Sequence, residues 1–403
     1  MFLENALPLH GAPLDPRDAE TLSVAGARRV ARHLALRPGH APTPLVPLPA
    51  LAAAIGVAEL LVKDEGQRLG LGSFKALGGA YAVALLCLEE AGARLGRPLD
   101  AADLADPAVR AVAATLTFAC ATDGNHGRSV AQGAALVGAR SVVFVHGGVS
   151  DARVAAIAAF GAEIVRVAGT YDDSVEEAAT VGRERGWTIV SDTSWPGYER
   201  IPGLVMQGYT ALLREALDEA GAPPTHVFIQ AGVGGIAATL AGHLALLFGR
   251  ERPRLVVVEP DRAACLFASA RAGAPVPVEA GEPTVMAMLE CYAPSLVAWR
   301  VLERAADAFM LIEDEEAVAA MSRLARPLAG DPVLVAGESG GAGLAGLLRA
   351  ARDPRIREAL GLGAHARVLL VNTEGATDPD RFREITGLDP AALRHESALS
   401  IEP

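Results

Sequence analysis

The chain alternates β-branched runs with runs rich in alanine and leucine, and this alternation constrains its fold more than any other feature. Strand-like segments occupy residues 59–65, 141–147, 163–169, 226–232, 254–260 and 367–375. Helix-like segments lie between them, of which residues 76–96 and 151–162 are the clearest. Strands that alternate with helices of this length are typical of parallel sheets with right-handed crossover connections. We therefore predict an α/β fold with two doubly wound parallel-sheet domains.

A compact unit of alternating helix and strand covers residues 125–169 and indicates the centre of a smaller domain. The second half of the chain, from residue 200 onward, shows the same alternation. The sequence contains no evident internal repeat, charge block or low-complexity linker. We predict that residues 81–199 form a small α/β domain, and that residues 1–80 and 200–403 together form a large one.

The composition disfavours several classes of protein. A net charge of -12 disfavours non-specific binding to nucleic acid or to an anionic membrane. The first residues have neither the basic nor the apolar region of a secretory signal. The longest apolar stretch, residues 227–249, contains Gln230, several glycines and His243, so a strand, a turn and a buried helix explain it better than a membrane span. We expect a cytoplasmic protein that binds neither nucleic acid nor membrane.

The four cysteines show no CxxC pattern and no zinc-site spacing, so we expect no metal centre built on them. They stand at Cys87, Cys120, Cys265 and Cys291. Buried, reduced thiols of a cytoplasmic protein are the simplest interpretation. The sequence leaves open a pairing between Cys265 and Cys291.

Lysine is rare in this chain, which contains 36 lysines and arginines of which only Lys63 and Lys75 are lysine. Lysine is an amine of adjustable pKa that forms a Schiff base with a carbonyl, whereas arginine stays protonated. Ser73 and Phe74 precede Lys75 and a run of small residues follows it, which predicts a helix start in apolar surroundings. We expect burial there to lower the pKa of the Lys75 amine and to release it as a nucleophile. An ordinary solvated lysine is the alternative.

A glycine loop lies between the strand that ends at Ala231 and a helix that begins near Ile236. Backbone N–H groups at such a helix start form a binding site for a phosphate group. The same loop also fits the G-x-G-x-x-G/A pattern of a dinucleotide site, with Glu259 at nearly the spacing that binds a ribose. Taken alone, this window indicates an NAD-dependent dehydrogenase.

Three further polar loops follow or precede the predicted elements. The stretch ATDGNHG carries Asp123, Asn125 and His126 ahead of a helix, where an ordinary cap of the helix is the alternative. The stretches GESGG at 337–341 and VNTEG at 371–375 add Glu, Ser, Asn and Thr side chains. Each is a common loop on its own, but ligands of α/β proteins bind at the carboxyl ends of strands. Together with the lysine and glycine stretches, they predict one shared site.

Four stretches in this order, GSFKALGGA, TDGNHG, AGVGG and NTEG, resemble the fold-type-II pyridoxal-phosphate enzymes, the family of the tryptophan synthase β-subunit. An NAD site leaves three of the four unexplained. Within this superfamily the chain is most similar to the diaminopropionate ammonia-lyase family. The likeness extends to PTPL at 42–45, VKDE at 62–65, GTYDDSV at 169–175, DTSWPGY at 192–198 and IPGLVMQGY at 201–209, and it covers nearly the whole chain.

The resemblance implies a pyridoxal 5'-phosphate cofactor held in the large domain. Lys75 would bind the cofactor covalently as a Schiff base. The glycine loop would bind its phosphate through Gly232, Val233, Gly234, Gly235 and Ile236. Phe74 would pack beside the ring, Asn125 would meet the ring hydroxyl, and Thr373 would face the pyridine nitrogen. A neutral hydroxyl at that nitrogen favours loss of a β-substituent over transamination.

The implied reaction is an α,β-elimination that converts 2,3-diaminopropionate, a small amino acid, to pyruvate and ammonia. Lys75 would remove the Cα proton as general base, and Asp123 would act from the opposite face, so that both enantiomers react. Asp123 and Asp192 would grip the leaving amino group, and Ser73 and Thr122 would contact the substrate. The family also implies a homodimer.

Two departures from the family pattern leave the substrate open. After Cys291 the chain reads CYAPSLVAW, where the family usually has Gly-Glu-Pro. Ser73 directly before Phe74 is a form shared with serine and threonine dehydratases. A serine/threonine or 3-hydroxyaspartate dehydratase with the same cofactor is therefore the alternative, although the acids at Asp123 and in DTSW suit a cationic leaving group. Cys265 and Cys291 match cysteines of the family, which favours their lying close together.

Overall fold

The computed structural model describes residues 1–122, 124–169 and 171–399. The strands are β1 Phe2–Glu4, β2 Leu45–Pro47, β3 Glu59–Asp64, β4 Thr117–Ala121, β5 Arg140–His146, β6 Glu163–Val167, β7 Thr188–Ile189, β8 His226–Gln230, β9 Arg254–Pro260, β10 Ala308–Ile312 and β11 Arg367–Asn372. Short 3-10 helices cover Glu65–Gly70, Ala101–Ala105, Gly249–Glu251 and Ala287–Leu289.

The α-helices surround the strands and mostly alternate with them along the chain, as parallel sheets require. They are α1 Pro16–Thr21, α2 Val24–Ala35, α3 Pro49–Ile55, α4 Lys75–Leu95, α5 Pro107–Ala113, α6 Asn125–Val137, α7 Asp151–Ala158, α8 Tyr171–Arg185, α9 Arg200–Glu219, α10 Gly235–Phe248, α11 Cys265–Ala272, α12 Leu296–Ala305, α13 Asp314–Ala325, α14 Ala342–Arg352, α15 Pro354–Leu360, α16 Pro379–Thr386 and α17 Pro390–Leu399.

The strands of the described residues form two sheets. The larger sheet has the order β1-β10-β9-β8-β11-β3-β2 and is parallel except at its two edges, where β1 and β2 run antiparallel to their neighbours. The smaller sheet has the order β6-β5-β4-β7 and is parallel throughout. In the central strand β8 all five residues are buried, which explains why its sequence is a continuous apolar run rather than an alternating one.

The α/β fold with parallel sheets is confirmed, and each of the six predicted strands is present. Five strands were not predicted, namely β1, β2, β4, β7 and β10. The assignment of residues 81–199 to a small domain, and of residues 1–80 and 200–403 to a large one, stays a prediction. The proposed boundary at residue 80 falls inside α4, a continuous helix that reaches Leu95.

Helix α4, which begins at Lys75, is held by close contacts with α6 and α9. A Cβ added at Gly133 of α6 would lie 2.6 Å from the Ala80 Cα, and one at Gly208 of α9 would lie 2.4 Å from the Leu77 carbonyl oxygen. Helix α4 is long and apolar enough to span a membrane, but 67% of its most apolar 18 residues are buried inside the protein. Such burial is typical of a core helix, and it fixes the position of Lys75.

The second lysine, Lys63, belongs to a buried ion-pair cluster beside the Lys75 loop. Its Nζ lies 2.7 Å from a carboxylate oxygen of Glu215 on α9, and the wholly buried Arg68 approaches the same oxygen at 2.6 Å. Arg68 also lies 2.7 Å from the buried Glu65. Buried charges persist only when they are paired, and here two cations meet two carboxylates. The cluster ties β3 and the segment that leads to Lys75 onto α9.

We expect Gly133→Ala to lower the free energy of unfolding by about 1–3 kcal/mol, because its new methyl group would overlap the Ala80 backbone on α4. Gly203→Ala on α9 is the matched control, since a Cβ there meets nothing nearer than 3.7 Å. The control should be neutral or raise stability by about 0.5–1 kcal/mol, as alanine does in helix interiors. Urea unfolding measures both; equal stabilities of the two variants would contradict this account of the α4–α6 contact.

Candidate active site

The loops that follow the strands of the two sheets meet at one cavity. Every predicted site residue that the structure describes lines it: Ser73, Phe74, Lys75, Thr122, Asn125, Asp192, Gly232, Val233, Gly234, Gly235, Ile236 and Thr373. Asp123 lies outside the described residues. The cavity wall also contains Tyr209 and Gln230, which sequence reasoning did not select for the site, and His126 and Glu374, which belong to its polar loops but were given no role.

Lys75 is the first residue of α4, and its Nζ contacts the Asp192 carboxylate. Burial acts to lower the pKa of Lys75, but the adjacent Asp192 carboxylate outweighs it and raises that pKa above its ordinary value. Burial likewise acts to raise the pKa of Asp192, and Lys75 reverses this and holds it below its ordinary value. The expected lowering of the Lys75 pKa is therefore wrong, because the amine lies against a carboxylate and not only among apolar groups.

The glycine loop between β8 and α10 has the features of an anion-binding site. Gly234 has φ +103°, and a Cβ there would lie 3.0 Å from the Ala298 side chain, so both conformation and space require glycine. No side chain of the residues that the structure describes caps the first turn of α10, which begins at Gly235. Its first backbone N–H groups and the positive end of the helix dipole are therefore available to a phosphate group.

Gln230 and Thr373 form a buried polar pair at the floor of the cavity. The Gln230 Nε2 donates to the Thr373 Oγ1 at 2.9 Å and to the Gly340 carbonyl oxygen at 2.7 Å. Since the Thr373 oxygen accepts this bond, its own O–H remains able to donate to a ring nitrogen. The sequence contained a signal for Gln230, because a polar residue at the end of an apolar strand stands where α/β proteins bind ligands.

Asn125 begins α6 and its Nδ2 donates to the Glu374 carboxylate at 2.7 Å. The next residue, His126, is buried, and its Nε2 lies 2.7 Å from the Val190 carbonyl oxygen. Because a carbonyl only accepts, this nitrogen carries the proton and Nδ1 is the basic atom. The His126 Nδ1 lies 3.9 Å from Asp192, and burial lowers the pKa of the imidazole.

Phe74 packs against Tyr209, with ring centroids 4.7 Å apart in an edge-to-face arrangement. The Tyr209 hydroxyl is buried and has no hydrogen-bond partner within the described part of the chain, and burial raises its pKa. Tyr209 lies on α9, one residue after the Gly208 that packs on α4. Its place in the cavity therefore follows from helix packing, which a sequence pattern does not reveal.

Ser73 and Thr122, the hydroxyls predicted to contact substrate, each accept bonds from the backbone. The buried Ser73 Oγ accepts from the Lys75 N–H at 3.4 Å. The Thr122 Oγ1 accepts from the Gly124 N–H at 3.0 Å and from the Gly127 N–H at 3.1 Å. Both hydroxyls thus shape the loops that carry Lys75 and Asn125, and their contact with substrate stays a prediction.

Glu259 has no part in a nucleotide site. It is wholly buried, and its two carboxylate oxygens accept the N–H groups of Leu266 at 2.8 Å and Phe267 at 2.7 Å. Burial raises its pKa to about 8. Both Glu259 oxygens are occupied by N–H groups at the start of α11, so this side chain is unable to bind a ribose. The interpretation of the glycine loop as an NAD fingerprint is therefore wrong.

The four cysteines, all within the described part of the chain, form no disulfide. The Cys265 Sγ lies 3.7 Å from the Gly232 carbonyl oxygen. A Cβ added at Gly232 would lie 2.8 Å from the Cys291 Sγ. Both thiols therefore border the same glycine of the phosphate loop, as the resemblance implied when it placed them close together.

Comparisons with known proteins agree with this geometry. A family model described as pyridoxal-phosphate dependent enzyme matches residues 36–374. The chain is 39% identical over 354 residues to the diaminopropionate ammonia-lyase of Escherichia coli (strain K12), a match that covers 86% of this chain and 87% of that one. The chain belongs to the diaminopropionate ammonia-lyase family. The enzyme of Salmonella typhimurium (strain LT2) is 37% identical over 86% and 88% of the two chains.

Solved structures show the same relationship. The crystal structure of the Escherichia coli diaminopropionate ammonia-lyase in complex with D-serine matches the chain with a TM-score of 0.85, at 36% identity and over 96% of both chains. The predicted fold type II and the pyridoxal phosphate cofactor of the family are thereby confirmed.

The residues of the cavity fit this cofactor. Lys75 offers an amine to its carbonyl, and the uncapped start of α10 offers N–H groups to its phosphate. Buried polar atoms that lack a hydrogen-bond partner among the described residues include four in the cavity wall: His126 Nδ1, Tyr209 Oη, Gln230 Oε1 and Glu374 Oε1. Because buried polar groups in proteins are normally satisfied, this concentration indicates a polar ligand.

We expect Asp192→Asn to destabilise the cofactor-free protein by about 2–3 kcal/mol, since it leaves the three-quarters buried Lys75 ammonium without its carboxylate. The lowered pKa of Asp192 and the raised pKa of Lys75 mean that the pair stabilises the fold between about pH 4 and about pH 10. Lys75→Met in the Asp192→Asn protein should recover most of the loss. Urea unfolding at neutral pH checks this, and additive losses in the double variant would rule the coupling out.

Proposed function

We propose that the chain is a pyridoxal-phosphate-dependent ammonia-lyase that converts 2,3-diaminopropionate to pyruvate and ammonia by α,β-elimination. The observation that carries the proposal is the contact between the Lys75 ammonium and the Asp192 carboxylate inside the cavity. A carboxylate that already holds one ammonium group there suits a substrate with a second, cationic amino group. The identity to diaminopropionate ammonia-lyases over most of the chain supports the same substrate.

The proposed roles follow from the chemistry of each side chain. The cofactor, bound through Lys75, supplies an electron sink that makes the Cα proton of the substrate acidic. Once the substrate amine has displaced Lys75, the freed Lys75 amine removes the Cα proton of the substrate as general base. Asp192 keeps the β-amino group protonated, so the Cβ–N bond breaks with its electrons on nitrogen and ammonia leaves. The released enamine hydrolyses to pyruvate and a second ammonia.

The remaining side chains hold the reactants in place. Gly232, Val233, Gly234, Gly235 and Ile236 are proposed to bind the phosphate, with Phe74 beside the ring. Thr373 donates to the ring nitrogen as a neutral hydroxyl, and Asn125 meets the ring hydroxyl. Ser73 and Thr122 border the substrate. Asp123 is proposed as the base on the opposite face.

The proposal includes a cytoplasmic homodimer. Four cysteines without a disulfide suit a reducing compartment, and the net charge of -12 offers no attraction to anionic membranes or nucleic acid. The dimer rests on the resemblance to the family.

Pyruvate release from DL-2,3-diaminopropionate, serine, threonine and 3-hydroxyaspartate tests the function. We expect kcat/KM for diaminopropionate to exceed the others by at least about tenfold, because only its leaving group is a cation that Asp192 can bind. Lys75→Arg is the control, since it keeps the charge but forms no Schiff base and should release no pyruvate. A higher kcat/KM for serine, threonine or 3-hydroxyaspartate would instead establish the dehydratase.

Asp123→Asn should impair the two enantiomers unequally. If Asp123 is the base on one face and Lys75 on the other, the variant should lose about 100-fold or more in kcat on the D-isomer and much less on the L-isomer. Steady-state assays with separate D- and L-2,3-diaminopropionate measure this. Equal losses on both isomers would refute the assignment of two bases.

A further inference from the structure

The stretches GESGG and VNTEG meet at a pair of buried glutamates beside the cavity. Glu338 is 4% exposed and Glu374 is 2% exposed. The two loops pack backbone to backbone, because the Gly337 N–H donates to the Glu374 carbonyl oxygen at 2.9 Å. A Cβ at Gly340 would lie 2.2 Å from that same oxygen, which accounts for the glycine run after Glu338. Two carboxylates are thereby placed side by side in a site with little solvent.

Two partners of these carboxylates come from α6 and α7, and a third comes from the loop after β11. Arg153 on α7 lies 3.6 Å from Glu338, and its guanidinium is mostly buried. The Asn125 amide on α6 donates to the Glu374 Oε2 at 2.7 Å, and the Thr377 hydroxyl donates to the same oxygen at 3.4 Å. Arg153 thus lies near two buried carboxylates, and Arg381 and Asp378 are further charged neighbours of Glu338.

Asn125 is tied to Glu374 by its amide nitrogen. An amide nitrogen has two N–H groups, and the Glu374 carboxylate accepts one of them. Asn125 and Glu374 both line the cavity, so this hydrogen bond lies at the edge of the proposed cofactor site. An anionic acceptor orients an amide more strongly than a neutral one does.

We propose that Glu374 is a positioning residue for the cofactor, which fixes the Asn125 amide toward the ring hydroxyl, and that Glu338 and Arg153 set its charge. This inference rests on the proposed function, in which Asn125 meets that hydroxyl. It assigns a role to three residues, Glu338, Glu374 and Arg153, that the catalytic proposal leaves unused.

Glu374 changes charge in the neutral range. Burial raises its pKa to about 7, the neighbouring Glu338 adds to this rise, and the Asn125 hydrogen bond and Arg153 oppose it. Burial raises the pKa of Glu338 as well, with Asp378 and Arg381 as further charged neighbours. Among the described residues, Lys75, Asp192, His126 and Tyr209 also line the cavity. The Asp192 carboxylate raises the pKa of Lys75 and burial raises that of Tyr209, whereas Lys75 lowers the pKa of Asp192 and burial lowers that of His126.

The visible absorption of the bound cofactor, titrated from about pH 5.5 to about pH 8.5, tests the proposal. Wild type should show a spectral transition with a midpoint near the Glu374 pKa of about 7. Glu374→Gln should lack this transition and should bind pyridoxal phosphate about tenfold more weakly, because a neutral amide orients Asn125 less well.

Two further variants keep the test decisive if Glu374→Gln folds poorly. Glu338→Gln should move the midpoint down by about one pH unit, since it removes a like charge beside Glu374. Arg153→Met should move it up by a similar amount, since it removes the cation and keeps the methylene groups that pack near Gly124. Far-ultraviolet circular dichroism and thermal melting establish that each protein is folded.

Glu163→Gln is the matched control. Glu163 pairs with Arg140 at 3.5 Å on the smaller sheet, but both side chains are mostly exposed, so its midpoint should equal that of wild type. Equal midpoints in all variants, or a transition that persists in Glu374→Gln, would overturn the inference while leaving the proposed function intact. A wild-type protein that gains no visible absorption with pyridoxal phosphate would overturn both.

Discussion

The site depends on one ion pair, between the Lys75 amine and the Asp192 carboxylate. Lys75 owes its position to α4, which small residues allow to pack closely on α6 and α9. Asp192 follows β7 at the edge of the smaller sheet. The pair therefore joins the helix that carries the amine to the sheet across the cavity. An arginine could form the same ion pair, but it could not go on to form a Schiff base.

The cluster of Lys63, Arg68, Glu65 and Glu215 shows what lysine and arginine each contribute in this chain. Arg68 uses its planar guanidinium to contact Glu65 and Glu215 together, at 2.7 Å and 2.6 Å. Lys63 places a compact side-chain amine, wholly buried, 2.7 Å from a Glu215 oxygen. This lysine has a structural role, because it joins β3 to α9. Lys75 differs because it faces a cavity, where in the proposed reaction a substrate ammonium takes its place on Asp192.

Local sequence predicted the strands whose β-branched content is high and the polar loops of the site, although Thr122 and Asn125 follow β4 and Asp192 follows β7, two strands that were not predicted. It missed β4, TFACA, because small residues there give no strand signal. It also predicted the wrong direction for the Lys75 pKa. The group that decides this direction, Asp192, lies 117 residues from Lys75 in the sequence, and no local pattern predicts the contact between the two side chains. The pairing of Asn125 with Glu374, 249 residues apart, escaped for the same reason.

Ser73 was the one residue in the lysine stretch that favoured a dehydratase. In the structure its hydroxyl accepts the Lys75 N–H at the start of α4, a bond that any enzyme with a lysine at this helix start can use. Ser73 therefore carries little information about the leaving group. Asp192 carries more, because a neutral hydroxyl leaving group needs a proton donor, whereas the Asp192 carboxylate, held anionic by the Lys75 ammonium, is an acceptor. A carboxylate that binds an ammonium group is suited to a leaving group that already has its proton.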